Sequence, residues 1–235
     1  MHEESALDLE GINALPRATL QVQVYQQLRR MLMMGRFRPG QALKIRDVAA
    51  SFGTSMQPVR EAIRQLMAER ALESTPNISA RIPRLSAAQL ADLRSVRLAV
   101  EGLAAERAAA RIGPHDIALL DAIVSAESGT DDAHGMEASV TRNLEFHFHL
   151  YGLAGSDVLP SIIEGLWLRI GPYIRDAAEA FDVRGGRGSG HHVEILKALR
   201  RGDAAAVRRA VEDDINHFFD LLLDSPQIAP HRSRT

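Results

Sequence analysis

The sequence predicts a mainly α chain in two parts: a basic N-terminal unit of three short helices and a small hairpin, then a larger antiparallel all-α bundle. Apolar residues recur at helical spacing through most of the chain, and no strand-like alternation appears beyond residue 85. Charge divides the same way. Residues 1–16 hold 4 acids and no base, residues 17–84 carry 12 Lys and Arg against 4 Asp and Glu, and residues 85–235 carry 16 against 22. A compact basic segment on an acidic body points to one half gripping a polyanion while the other does something else; on charge alone, a solvated basic face reads equally well.

Taken in order, Leu20–Met34 places Val24, Leu28, Met31 and Leu32 on one helical stripe, and Pro39-Gly40 then marks a turn. Ile45–Phe52 is a short second helix, which Gly53 ends with the left-handed freedom a C-cap needs. Ser55 stands where it can cap a third helix, with Pro58 in the first turn, where a missing N–H costs nothing. That helix runs to about Ala71. Ala71–Thr75 and Ala80–Leu85, with Pro76-Asn77 between them, form a hairpin or wing. Further helices span Ala87–Arg111, Pro114–Ser128, Met136–Leu153, a segment capped by Gly155-Ser156-Asp157 and reaching Phe181 with a kink at Pro172, His191–Arg201, and Ala204–Asp224. The expected units are a tail (1–16), a winged helix-turn-helix (17–84), a helical bundle (85–224) and a second tail (225–235).

Composition excludes several chemistries. The chain has no cysteine, which removes disulfides, iron–sulfur clusters, zinc fingers and thiol catalysis. The acidic start lacks the basic and apolar regions of a signal peptide, and no stretch approaches 18 uncharged apolar residues. A soluble cytoplasmic protein with no membrane partner is expected. Gly185–Gly190 has neither the spacing of a dinucleotide fingerprint nor the Lys of a P-loop, so no organic cofactor is expected. His115-Asp116 has no companions to complete a metal-dependent phosphohydrolase.

In the basic unit, helix–turn–helix geometry seats a second helix in the major groove of double-stranded DNA. The presumed recognition helix offers Met56, Gln57, Arg60, Arg64 and Gln65 outward, with Ser55 at its start. Arg bridges guanine O6 and N7, and Gln pairs with adenine. Arg36, Arg38, Lys44 and Arg46 precede it as phosphate contacts, and Arg81 and Arg84 lie on the wing. The other reading is a plain soluble helix pair.

Resemblance decides between these. Gly35-Arg36-Phe37-Arg38-Pro39-Gly40-Gln41-Ala42-Leu43, Arg46-Asp47-Val48-Ala49 and above all Pro58-Val59-Arg60-Glu61-Ala62 resemble the winged helix-turn-helix of GntR-family bacterial regulators. Arg97 to Glu101, Phe146-His147 and the run from His192 to Asp203 resemble the FCD effector domain of the family's FadR branch. The similarity covers about residues 20–223. It implies a ligand-responsive transcriptional repressor that binds an operator as a homodimer, with Arg46 and Arg60 at DNA. Two positions depart from the pattern: Met56 stands where Arg is common, and Asn77-Ile78-Ser79-Ala80 replaces the usual Arg-Gly wing tip.

In the bundle, Asn143 and His147 are one helical turn apart. His192 and Asp214 are brought side by side by the Gly202-Asp203 turn. Two imidazoles and a carboxylate converging inside a bundle suit one divalent ion, zinc, nickel or manganese. The resemblance gives Asp, His, His, His at these four positions, so the carboxylate has changed places. The alternative is a pair of neutral, hydrogen-bonded histidines in a metal-free pocket. His217 is a substitute ligand or a neighbour, while His149 and His191 point away. The resemblance also implies a small-molecule effector, a carboxylate, with Arg97 binding it or else pairing with Glu101. Arg142, Trp167, Tyr173 and Arg175 are candidate pocket residues. A rival function is a metal-dependent hydrolase or lyase using His147, His192 and Asp214, with Glu145 or Glu194 as its acid/base.

Overall fold

A computed structural model of the chain describes residues 20–75, 78–127, 135–183 and 190–224. Both expected tails, the wing tip at Pro76 and Asn77, and loop residues 128–134 and 184–189 lie outside the described residues. The N-terminal unit comprises α1 (Leu20–Met33), β1 (Ala42–Leu43), α2 (Ile45–Ser51), α3 (Met56–Ala68), β2 (Glu73–Thr75) and β3 (Ile78–Arg81). The bundle comprises α4 (Ala87–Ala109), α5 (Pro114–Glu127), α6 (Gly135–Gly152), α7 (Leu159–Val183), α8 (Gly190–Arg200) and α9 (Ala204–Leu223).

The winged unit differs from expectation in two places. The wing is a three-stranded antiparallel sheet in the order β1-β3-β2, with Ala42 opposite Arg81 and Leu43 opposite Ala80. A two-residue strand carries no alternation to detect; its pairing comes from the long-range bonds Gly40 N–Ile82 O and Ile82 N–Gln41 O, both 2.9 Å. Helix α3 stops at Ala68 because Arg70 takes a left-handed φ of 59°, which turns Ala71 N back onto Leu66 O at 2.9 Å. Ala71 and Leu72 are thereby buried under the sheet side of the unit instead of continuing the helix. Ser55 is at the α3 N-cap position, but its side chain makes no capping bond.

The bundle follows its local signals closely. Ser86 and Gln89 form a capping box at the start of α4, and Asp203 Oδ1 accepts from Ala206 N at 2.9 Å to start α9. Ser156 Oγ caps α7 by accepting from Leu159 N at 3.2 Å, and α7 continues as a helix through Pro172. Leu90, Phe146, Leu150, Trp167, Leu168, Ile195, Val211 and Phe219 fill the centre. Among the described residues, no helix is long and apolar enough to cross a membrane.

The two units share their packing. Helix α1 buries Val24, Leu28, Leu32 and Met33 and lies between α3 and α7. At the crossing with α7, Gly171 admits the α1 backbone so closely that a Cβ there would collide with the Leu32 carbonyl and stand 2.7 Å from Met33 Cα. Arg29 reaches Glu164 at 2.7 Å, Arg36 pairs with Glu137, and Leu85 N donates to Tyr173 Oη at 2.6 Å. Because backbone cannot yield as a side-chain tip can, Gly171→Ala is expected to cost about 1–3 kcal/mol, read as a lower urea midpoint. Gly152→Ala is the control, since a Cβ at Gly152 meets nothing within 4 Å and its midpoint should hold or rise.

Candidate nucleic-acid interface and buried sensor site

Helices α2 and α3 are joined by a tight turn in which Gly53 takes φ 61° and Thr54 N reaches Ala49 O at 3.0 Å. Helix α3 turns Val59, Ala62, Ile63 and Leu66 inward. Met56, Gln57, Arg60, Arg64 and Gln65 remain on the outer face, Met56 with 50% of its surface open. Glu61 ties two of these down, accepting from Gln57 Nε2 and from Arg64 Nη1, each at 2.9 Å. Arg60 projects from the same face, Lys44 is exposed at the start of α2, and the Arg46 side chain is 84% exposed. These cations have low-cost access to a duplex.

Two arginines expected at phosphates are engaged elsewhere. Arg81 lies against Glu73 at 2.6 Å, across the strand pair that places those two residues opposite one another. Arg36 is turned toward Glu137 on α6, at the junction between the units. The Arg36 partner depends on how distant segments dock, whereas Glu73 and Arg81 face one another across the two strands that the sequence offered as a hairpin.

In the bundle, His147 on α6, His192 on α8 and Asp214 on α9 come together, the last two across the turn that the spacing predicts. His147 Nε2 is 3.1 Å from Asp214 Oδ2 and 3.3 Å from His192 Nε2, and one ligand atom from each residue lies within 4.8 Å of the others. Both imidazoles are buried, and Phe146 stacks on His192 with ring centroids 4.3 Å apart. Burial opposes ionisation of Asp214, yet its hydrogen bond to His147 and the neighbouring imidazoles hold the carboxyl well below the usual carboxylate range. Asn143, one turn before His147, is half-buried, as is Arg142 beside it. His149 turns away to Asp116 at 3.3 Å, and His217 packs on His191 with centroids 4.8 Å apart.

Behind this cluster sits a buried network of hydrogen bonds. Arg97 grips Glu101 with Nε–Oε1 at 2.5 Å and Nη2–Oε2 at 3.0 Å. Its guanidinium lies 5.0 Å from the Trp167 ring and within 6 Å of Phe218 and Phe219. Burial weighs against the Arg97 charge, but Glu101 more than restores it. Glu101 Oε2 also accepts from Trp167 Nε1 at 3.1 Å and from Tyr151 Oη at 2.9 Å. Thus the candidate effector arginine is occupied by Glu101, the pairing its i+4 spacing offered. Tyr173, a candidate pocket residue, lies instead at the junction, bonded to Leu85 N. Glu101's hub role and Tyr151 were missed; the signal for Tyr151 was its position one turn beyond His147.

That network reaches the imidazole cluster through Tyr151. Burial, then Glu101, raise the Tyr151 hydroxyl well above its ordinary value, so it keeps its single proton. The Glu101 carboxylate, already held by Arg97, takes that proton as an acceptor. Tyr151 Oη also lies 3.1 Å from His147 Nδ1, which ties that ring to the network. His147 Nε2, on the other side of the ring, faces Asp214 Oδ2 and His192 Nε2. Removing the central carboxylate would strand a buried guanidinium: Glu101→Gln should cost about 3–5 kcal/mol. Tyr151→Phe, which removes only the hydroxyl link, should cost about 1–3 kcal/mol. Chemical denaturation measures both.

Comparison with known proteins supplies the family. Residues 20–82 match the model described as bacterial regulatory proteins, gntR family, and residues 92–217 match that of the FCD domain. The HTH-type transcriptional regulator McbR of Escherichia coli (strain K12) is 26% identical over 212 residues, spanning 87% of this chain and 93% of McbR. The solved structure of E. coli McbR/YncC superposes with a TM-score of 0.80 at 26% identity, covering 88% of this chain and 98% of that one. The HTH-type transcriptional repressor RspR of the same organism is 26% identical over 204 residues, 83% of this chain and 86% of RspR. These likenesses are to regulators, which does not favour the hydrolase or lyase reading. Its would-be acid/base residues also point away: Glu145 is exposed, and Glu194 is exposed and paired with Lys197 at 2.7 Å. In sequence and in fold, the chain belongs to the GntR family of bacterial transcriptional regulators and carries an FCD effector domain behind its helix-turn-helix.

Proposed function

We propose that this regulator is a repressor that binds a two-fold operator as a homodimer, and that its bundle senses a small carboxylate at a divalent ion held by His147, His192 and Asp214. The observation that carries the sensing half is the convergence of one ligand atom from each of His147, His192 and Asp214 within 4.8 Å of one another. Two imidazoles and a carboxylate at that separation are a donor set that suits a divalent ion. The spacing agrees: ligands about 2.0–2.1 Å from a tetrahedral ion stand about 3.3 Å from one another, as the two Nε2 atoms do. Asn143 stands one turn before His147 on the same helix, and an amide oxygen suits manganese better than zinc. Such an ion supplies positive charge and an open position for a carboxylate. Tyr151 and Glu101 hold the His147 ring in the orientation that binding needs.

The DNA half rests on the open face of α3 together with Arg46 and Lys44. One such helix makes few base contacts, and two half-sites roughly double the free energy, which favours the homodimer. Met56 presents a thioether where a bidentate guanine contact is common in the resemblance, which suits a thymine methyl. Repression is supported by the likeness to RspR, a transcriptional repressor. Helix α7 couples the halves: Trp167 meets Arg97, Glu101 and the His147 ring, while Gly171, one turn on, seats α1 against it. A ligand that favours one placement of α7 biases α1, and with it α3.

Two measurements check the reading. In a mobility-shift assay with the operator, Arg60→Ala should weaken binding by about 5–150-fold while leaving the melting temperature unchanged; equal affinity would sink the groove assignment. With metal-stripped protein, saturating zinc, nickel or manganese at ~100 times Kd should raise the wild-type melting temperature by about 5–10 °C. The same addition should leave His192→Ala unmoved, and an equal shift in both would remove the ion from this site.

A further inference from the structure

A cavity of about 300 Å³ lies where the basic unit, the linker and the bundle meet. Arg38 and Arg84 line it from the basic side, Leu85 and Ser86 from the linker, and Tyr173 and Asp176 from α7. Its size is that of a small-molecule site. The two arginines are exposed, and neither guanidinium has an ion-pair partner among the described residues. The backbone that carries them is nevertheless fixed. The Arg38 loop closes as a turn, with Gln41 N reaching Arg38 O at 3.0 Å and Arg38 N donating to Gln41 Oε1 at 2.9 Å. Arg84 lies against Gly40, which takes φ 82°; a Cβ there would collide with Arg84 Nε and stand 2.7 Å from its Cζ. The Tyr173 hydroxyl is already occupied, accepting from Leu85 N at 2.6 Å and donating toward the Pro83 carbonyl at 3.4 Å. The charged part of the wall is therefore two guanidiniums and one carboxylate.

We infer that this cavity is a second small-molecule site, built from residues other than the imidazole cluster, and that it takes a phosphate monoester bearing hydroxyl groups. Charge asks for an anion, since two cations in one wall repel each other until a negative ligand lies between them. Geometry asks for phosphate. Each guanidinium is a two-pronged fork; one fork saturates a planar carboxylate, whereas two forks from separate segments suit the three free oxygens of a phosphate ester. Asp176 asks for hydroxyls. Its carboxylate repels a bare polyanion such as a nucleic-acid backbone, yet accepts from the hydroxyls of a small ester. A ligand here is held by the basic unit and by α7 at once, across the linker that joins them. Its binding is thereby coupled to the placement of the basic unit.

The test uses the full-length protein, stripped of metal and kept in EDTA so that the imidazole cluster plays no part. Inorganic phosphate and ribose 5-phosphate are titrated calorimetrically at constant ionic strength. Wild type is expected to bind both saturably, ribose 5-phosphate the more tightly. Arg38→Ala and Arg84→Ala should each weaken both probes about 10–150-fold, whereas His192→Ala should bind as wild type does. Both arginines are exposed, so these variants should melt where wild type melts. Asp176→Asn should hold or tighten inorganic phosphate and lose the preference for ribose 5-phosphate; an unchanged preference removes the hydroxyl recognition. The operator backbone is the other source of phosphate, and salt titration of operator binding separates it. If Arg84→Ala lowers the salt slope by about one while probe binding stays unchanged, that arginine serves the DNA backbone and the site is overturned. Failure of wild type to bind phosphate saturably overturns it as well, and leaves the ion site at His147, His192 and Asp214 untouched.

Discussion

At the centre of the bundle, a guanidinium and a carboxylate are buried together, and the surrounding chemistry is arranged around their mutual need. Arg97 without Glu101 would leave an unpaired charge among Trp167, Phe218 and Phe219, a state that costs several kcal/mol. With the pair formed, Glu101 still has acceptor capacity, and the Trp167 indole and the Tyr151 hydroxyl use it. One acidic side chain thus joins α4, α6 and α7 and, through Tyr151, reaches Nδ1 of His147. A hydrophobic substitute at both positions would pack as well and hold the helices together. It would not orient an imidazole.

Helix α7 gives that arrangement its reach. It presents Trp167 to the buried network and, a turn later, a glycine to the backbone of α1. Helix α1 in turn lies on α3, with Tyr25 bonded to Glu69 just beyond the end of α3. Rigid helices in direct contact leave little slack between the imidazole cluster and the groove-facing side chains, so a small displacement at one end is not absorbed in loops.

Much of this was legible in the sequence because it is local. Gly53, the Gly155-Ser156-Asp157 segment and the Gly202-Asp203 turn mark helix ends close to where they fall. The pairing of His192 with Asp214 followed from counting residues on either side of one tight turn, a property of helical rise alone, while His147 was joined to them through the family resemblance. The parts that eluded the sequence depend on long-range docking. The two-residue β1 exists only because β3 pairs with it. Tyr173, expected at the pocket, lies at the junction, a placement helical period cannot reveal, and Arg36 found a carboxylate 101 residues away. Arg97 was ambiguous for a different reason: an i+4 acid and a carboxylate ligand satisfy a guanidinium equally well on paper, and only the enclosure around it favours the intramolecular partner.

The Arg36–Glu137 bridge carries a consequence for energetics. One guanidinium satisfies one anionic partner at a time, so a nucleic-acid phosphate that recruited Arg36 would have to displace Glu137 and loosen α6 from the basic unit. Protein–duplex affinity would then contain an internal exchange term as well as counterion release. The number of ions released on association would fall short of the number of arginines facing the groove, because one of them arrives already neutralised by its own chain.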